Sequence, residues 1–105
     1  MAYLHLYRNP NPASAERYPY LLDIQSDAVG RLPTRIVAPV GRVTKLGFTP
    51  ITRLMPRFEI LGDECAVVTQ ELAAVEAAML RDSVVNLVGL REEIVRAVDL
   101  LFTGI

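Results

Sequence analysis

Few side chains in this sequence have the type and spacing that catalysis needs. The one histidine, His5, lies in the apolar run YLHLY, and the one cysteine, Cys65, has no CxxC partner. With no second His or Cys close by in sequence, no metal site is expected. Cys65 is expected to pack as a small apolar residue. Asp63 and Glu64 are adjacent, and adjacent strand side chains point to opposite faces, so they read as part of a turn rather than as a paired acid and base. The phosphate loops GxGxxG and GxxxxGK[ST] and the nucleophile elbow GxSxG are absent from the sequence. This argues against a metal-dependent or nucleophilic hydrolase. An enzyme using scattered Arg, Thr and Asp, as some ribonucleases do, is not addressed by it. No catalytic residue and no cofactor is expected.

The charges are more informative than the nucleophiles. From Ala28 to Phe58 there are six basic residues (Arg31, Arg35, Arg42, Lys45, Arg53, Arg57) and no acidic one. From Glu59 onward there are nine acidic residues against Arg81, Arg91 and Arg96. Such halves pair within one fold, or they form a cationic face for an acidic partner or a phosphate backbone. With 105 residues, 51% of them hydrophobic, the chain is expected to fold as a single domain, residues 1–105, around one core. No apolar run is long enough to cross a bilayer, and MAYLHLYRNP lacks the pattern of a signal peptide. With one unpaired cysteine, the expectation is a cytoplasmic protein with no membrane partner.

The elements that must position these residues are short strands and a helix. YLHLY has strand composition, with Tyr3, His5 and Tyr7 on one face and Leu4 and Leu6 on the other. RNPNPASAER is a loop, because Pro10 and Pro12 cannot donate ladder hydrogen bonds. YPYLLDIQ is a second strand and SDAVGRLPT a turn. TRIVAPV is a third strand, with Pro39 marking an edge or a bulge. GRVTKLGFTPITRLMP holds one short strand at most. RFEIL and ECAVVTQ flank Gly62-Asp63, a hairpin turn. QELAAVEAAMLRDS reads as helix on propensity alone. Apolar residues at Val84, Leu87, Leu90, Ile94, Val98, Leu101 and Ile105 form a helical stripe. Asp82 or Ser83 would cap its start and Gly104 would stop it, while Glu92 and Arg96 pair in the favourable order. Strands first and a helix last predict an α+β domain, mainly β, with the helix packed on a strongly bent antiparallel sheet. The final LLFTGI raises a question, since chain ends usually carry polar residues. An apolar end is either tucked into the core or offered to a partner.

Three stretches in order resemble the CcdB family of toxins. The first is YLLDIQSDAVGRLPTRIVAPV, with D-[IV]-Q-S-D, a variable turn and R-[IVM]-V-x-P-[LV]. The second is ILGDE with the run ending VVTQELAAV. The third is LREEIVRAVDLLFTGI, with an N or D one turn before the final Gly-Ile. Together they span Tyr20 to Ile105.

The resemblance implies an SH3-like antiparallel barrel or twisted sheet, of the kind CcdB and MazF share, with a C-terminal α-helix. It places a strand near Glu76–Leu80 and starts the helix at about Val84. It implies a homodimer that binds the DNA gyrase A subunit and traps the enzyme on cleaved DNA. A CcdA-like antitoxin would neutralise it, and the two together would repress their own operon, so DNA would be met only through that complex. By position, the gyrase contacts would be Ala28, Val29, Asp99, Phe102, Thr103, Gly104 and Ile105. Arg8 and Asn9 of the first loop, with Arg53 and Arg57 of the basic run, would meet the antitoxin. One position departs from the family pattern: Thr103 stands where the best-known members carry Trp. Losing an aromatic anchor costs on the order of 2–4 kcal/mol of binding. Alternatives are a MazF-like mRNA endoribonuclease on the same fold and a non-toxic relative that only binds an antitoxin.

Overall fold

The computed structural model describes residues 2–104. Ile105, expected as a partner contact, lies outside the described residues. The strands are β1 (His5–Arg8), β2 (Tyr20–Asp23), β3 (Thr34–Arg42), β4 (Arg57–Ile60), β5 (Asp63–Val67), β6 (Ala73–Glu76) and β7 (Ser83–Asn86). The helix is α1 (Arg91–Thr103). The strands pair antiparallel in one sheet of order β4-β5-β3-β2-β1-β7, with β6 added on β3. This is the expected α+β, mainly β architecture: a curled antiparallel half-barrel with a C-terminal helix.

The curl comes from β3. One edge of β3 pairs with β2, while its other edge is shared. Thr34 to Val37 pair with β6, and Val40 to Arg42 pair with β5. Pro39 sits where the partner changes. The strand is therefore central, not an edge as Pro39 led us to expect. Opposite Leu21, Pro39 occupies a pair that exchanges no ladder hydrogen bonds with β2, because the Ile24 N–H donates to the Ile36 carbonyl at 3.0 Å and fixes the alternation. Its missing N–H therefore falls in the gap between β5 and β6, where its carbonyl still accepts from Val68 N–H at 2.8 Å.

Period-two alternation fills both faces. Leu6, Leu22, Ala38, Val40, Cys65 and Val67 line the inner face and meet Ile94 of α1. Tyr7, Leu21 and Val37 form a smaller cluster on the reverse with Leu80. Leu4 and Leu6 are fully buried, as their alternation predicts, but Tyr7 is buried as well. His5 stays in the sheet, its Nδ1 at 3.2 Å from the Ser83 hydroxyl.

Three boundaries differ from expectation, each for a physical reason. Residues 73–79 are not helical. The open edge of β3 recruits Ala73–Glu76 as β6, in register from Thr34–Glu76 to Val37–Ala73, and ladder hydrogen bonds outweigh propensity. The strand thus lies a few residues earlier than Glu76–Leu80, and Ala77–Met79 form a 3-10 turn. The helix begins at Arg91 rather than Val84, and neither Asp82 nor Ser83 caps it. The β-branched pair in SVVN joins β1 as β7, and the Asn86 side chain accepts from Val88 N–H at 2.9 Å, turning the chain. Val84, Leu87 and Leu90 still pack on the core, from a strand and a turn rather than from a helix.

The β4–β5 turn is Leu61-Gly62, one residue earlier than expected, with φ of 52° and 83°. Two positive values define the type I′ hairpin that matches sheet twist, and it favours Asn-Gly. Leu61 is 75% exposed, so its side chain contributes little burial to offset a left-handed backbone. Leu61→Asn is expected to stabilise the fold by about 1 kcal/mol, read as a higher urea midpoint. An unchanged or lower midpoint would contradict this account of the turn.

Candidate functional site

The D-I-Q-S-D stretch and the arginine that follows it build one connected unit. Asp23 ends β2 and lies opposite Val37, so Arg35, two residues back along β3, shares its face. Both side chains are buried, Arg35 to 1% exposure. The Arg35 Nε donates to Asp23 Oδ2 at 2.8 Å, and Nη2 donates to the Gln25 carbonyl at 2.9 Å and to Asp27 Oδ1 at 3.2 Å. Burial alone would lower the Arg35 pKa, but Asp23 and then Asp27 outweigh it and the net shift is upward. The guanidinium stays charged.

Gln25 carries this anchoring outward. Its amide nitrogen donates to the Val29 carbonyl at 2.9 Å, and its amide oxygen accepts from Ile36 N–H at 3.0 Å. Ser26 Oγ accepts from Ala28 N–H at 3.1 Å and starts the 3-10 turn Asp27–Val29. The result is a short loop with Ala28 and Val29 exposed at its tip and every polar side chain beneath them engaged. Of the two readings of the basic middle segment, Arg35 takes the internal one: it pairs with Asp23, and its burial removes it from any surface role. Arg42 and Arg57 also pair within the fold, with Asp63 at 3.0 Å and Glu64 at 3.4 Å. The basic middle and acidic tail thus meet in part inside the molecule. A charged residue inside each apolar strand, in YLLDI and TRIVA, was the available signal for the buried pair, and sequence reasoning missed it.

The second group stands on the end of α1. Ile94 and Ala97 bury the inner face, Val98 and Leu101 are half-buried, and Phe102 is 67% exposed. Gly104, at φ 77°, is the left-handed cap, its N–H donating to the Leu100 carbonyl at 3.1 Å. Thr103 Oγ1 donates back to the Asp99 carbonyl at 2.7 Å, so the hydroxyl is spent on its own helix. Asp99, Phe102, Thr103 and Gly104 are all exposed on these last turns. The helix packs mainly on residues 69–71 and 88–90, so this group and the Ala28-Val29 tip belong to separate elements.

The residues expected to meet an antitoxin divide. Asn9 is structural: its amide donates to Ser14 Oγ at 3.0 Å and to the Tyr18 carbonyl at 2.8 Å, holding the first loop closed. Arg8 is exposed at the end of β1. Arg53 and Arg57 line a different cleft from the one that Asn9 borders.

Among the described residues no cluster of three or more His, Cys, Asp or Glu could hold a metal ion. No helix among them is long and apolar enough to cross a membrane. Compared with protein families, the chain matches the family described as CcdB protein over residues 4–104, nearly its whole length.

Removing the countercharge should be costly. Asp23→Asn removes the buried anion and leaves the guanidinium only the exposed Asp27 carboxylate, and it is expected to lower unfolding free energy by about 3 kcal/mol, measured by urea denaturation. A loss below about 1 kcal/mol would mean that the pair is not what holds β2, β3 and the loop together. Burial also raises the pKa of the Cys65 thiol and of the Tyr7 and Tyr18 hydroxyls. The folded chain retains protons that the unfolded chain releases, so this stabilisation is complete below about pH 9 and is lost as pH rises through the folded values. Unfolding free energy should fall between about pH 9 and pH 11, and a flat profile there would contradict the burial of these groups.

Proposed function

This chain belongs to the CcdB family, and we propose that it acts as the homodimeric toxin of a type II toxin–antitoxin system. The family is one of toxins acting on DNA gyrase, poisons rather than enzymes in their own right. In this reading the chain binds the gyrase A subunit and traps it on cleaved DNA. A CcdA-like antitoxin neutralises it, and the pair represses its own operon.

The observation that carries this reading is the exposure of Phe102. A large aromatic at the last turn of a helix, turned away from a core that has buried Ile94 and Ala97, fits a partner rather than packing. Aromatic anchors of this kind dominate protein interfaces. With Thr103 hydrogen-bonded to its own helix, Phe102 supplies the aromatic contact that Trp supplies in the best-known members. Asp99, Gly104 and Ile105 complete that surface. Ala28 and Val29 form a second contact, pre-organised by the Gln25 and Arg35 hydrogen bonds, which lowers the ordering cost of binding. Two copies of each element, related by a two-fold axis, suit a two-fold target.

Purified gyrase, supercoiled plasmid and the chain should yield linear DNA on denaturation. Phe102→Ala should weaken the effect by about thirtyfold or more, and Thr103→Trp should strengthen it by about tenfold. Phe102→Ala should leave the thermal midpoint unmoved, since that side chain is exposed. No linear DNA at saturating protein, or sequence-specific cleavage of a mixed RNA pool instead, would overturn the reading.

A further inference from the structure

Between the first turns of α1 and the segment before β4 lies a cleft of about 400 Å³, the size of a small-molecule site. Arg53, Arg57 and Arg96 line it, against one acidic residue, Glu93. Each guanidinium has donors to spare. Arg57 uses only Nη1, on Glu64 at 3.4 Å, and Arg96 only Nη2, on Glu92 at 3.7 Å. Both pairs are exposed and exchange readily for another anion. The Arg53 side chain makes no ion pair among the described residues, and its backbone is left-handed at φ 75°. A non-glycine residue held there is strained, and such strain gathers at binding sites. Met55 and Pro56, both buried, give the cleft an apolar floor. The Met55 sulfur accepts from Ile51 N–H at 3.4 Å and from Gln70 Nε2 at 3.5 Å, so the thioether is held in place.

We infer that this cleft binds a guanine nucleoside diphosphate. The lining calls for a compact anion, a flat apolar ring and N–H donors in one molecule. Phosphate oxygens take the three guanidiniums, whose planar forks match them. The base lies on Met55 and Pro56, where contact between sulfur and an aromatic ring is favourable. Glu93 chooses the base. An ionised carboxylate only accepts, and it meets guanine N1–H and the 2-amino group together, whereas adenine offers it a single amino group. A bare anion leaves Met55 and Glu93 unused. A nucleic-acid strand running beyond the cleft meets Glu59, Glu64 and Glu92, which break any continuous basic track. This ligand goes beyond the toxin reading and does not rest on it, since neither Phe102 nor the Ala28-Val29 tip lines the cleft.

The test is isothermal titration calorimetry of the full chain with GDP, ADP and pyrophosphate at about 50 mM salt. GDP should bind with a Kd below about 100 μM. ADP and pyrophosphate should each bind at least about tenfold more weakly, ADP for the lost hydrogen bond to Glu93 and pyrophosphate for the uncovered floor. Arg53→Glu and Arg96→Glu should each weaken GDP binding by about tenfold or more. Glu93→Gln should weaken GDP binding by about tenfold and leave pyrophosphate binding no weaker. All three side chains are exposed, so unchanged thermal midpoints separate lost binding from lost folding. No binding of GDP at about 1 mM would overturn the inference. So would equal affinity for ADP or pyrophosphate, or variants at Arg53, Arg96 and Glu93 that bind GDP as the wild type does.

Discussion

A carboxylate and a guanidinium that water cannot reach join the end of β2 to the start of β3. The Asp23–Arg35 contact at 2.8 Å is the only ion pair among the described residues with both side chains buried. Burying two charges is favourable only when their remaining donors and acceptors are used. Here they are: Gln25 N–H fills Asp23 Oδ1 at 3.0 Å, and the Gln25 carbonyl and Asp27 take the Arg35 Nη2. Those same partners are the loop. The requirement to satisfy a buried charge therefore fixes the path of residues 25–29, and with it the attitude of Ala28 and Val29. Gly30 belongs to the same constraint, since a Cβ there would stand 3.2 Å from Arg35 Nη1 and 3.0 Å from the Asp27 carbonyl.

The helix end is governed by a simpler balance. Ile94 and Ala97 attach α1 to the half-barrel through its first half. Beyond Leu101 little core is left to cover, so Phe102 stands in solvent. The left-handed Gly104 and the Thr103 hydroxyl both satisfy carbonyls of the last turn, at Leu100 and Asp99. A helix that ends this firmly presents Phe102 in a fixed direction. Rigid presentation of an aromatic side chain is what distinguishes an interface anchor from a frayed terminus.

Much of this was legible in the sequence, and the failures share one cause. Alternation in YLHLY placed Leu4 and Leu6 in the core, and Gly104 marked the helix stop. The Glu92–Arg96 pair forms in the order that the sequence suggested. Local propensity failed where long-range pairing decided. QELAAVEAAML has helical composition, but the free edge of β3 draws Ala73–Glu76 into the sheet. SVVN continues a helical stripe by period, but its β-branched residues pair with β1. Arg35 was counted only as one of six basic residues, with its side of the sheet left open, because charge alone does not report burial. Its neighbours Thr34, Ile36 and Val37 did, since a strand that apolar must turn one face inward. The exposed end of α1 came from the resemblance to a family, and periodicity alone would have assigned it to the core.

The central claim is that a braced loop and a rigid helix end form the surface this chain offers to gyrase. Hydrogen–deuterium exchange of the chain, free and with the gyrase A subunit, tests it most directly. The account predicts slower exchange at residues 27–30 and 99–104 in the complex, with β3 unchanged. Slowing confined to residues 52–57 or to the first loop, with the helix end as fast as in the free chain, would contradict it.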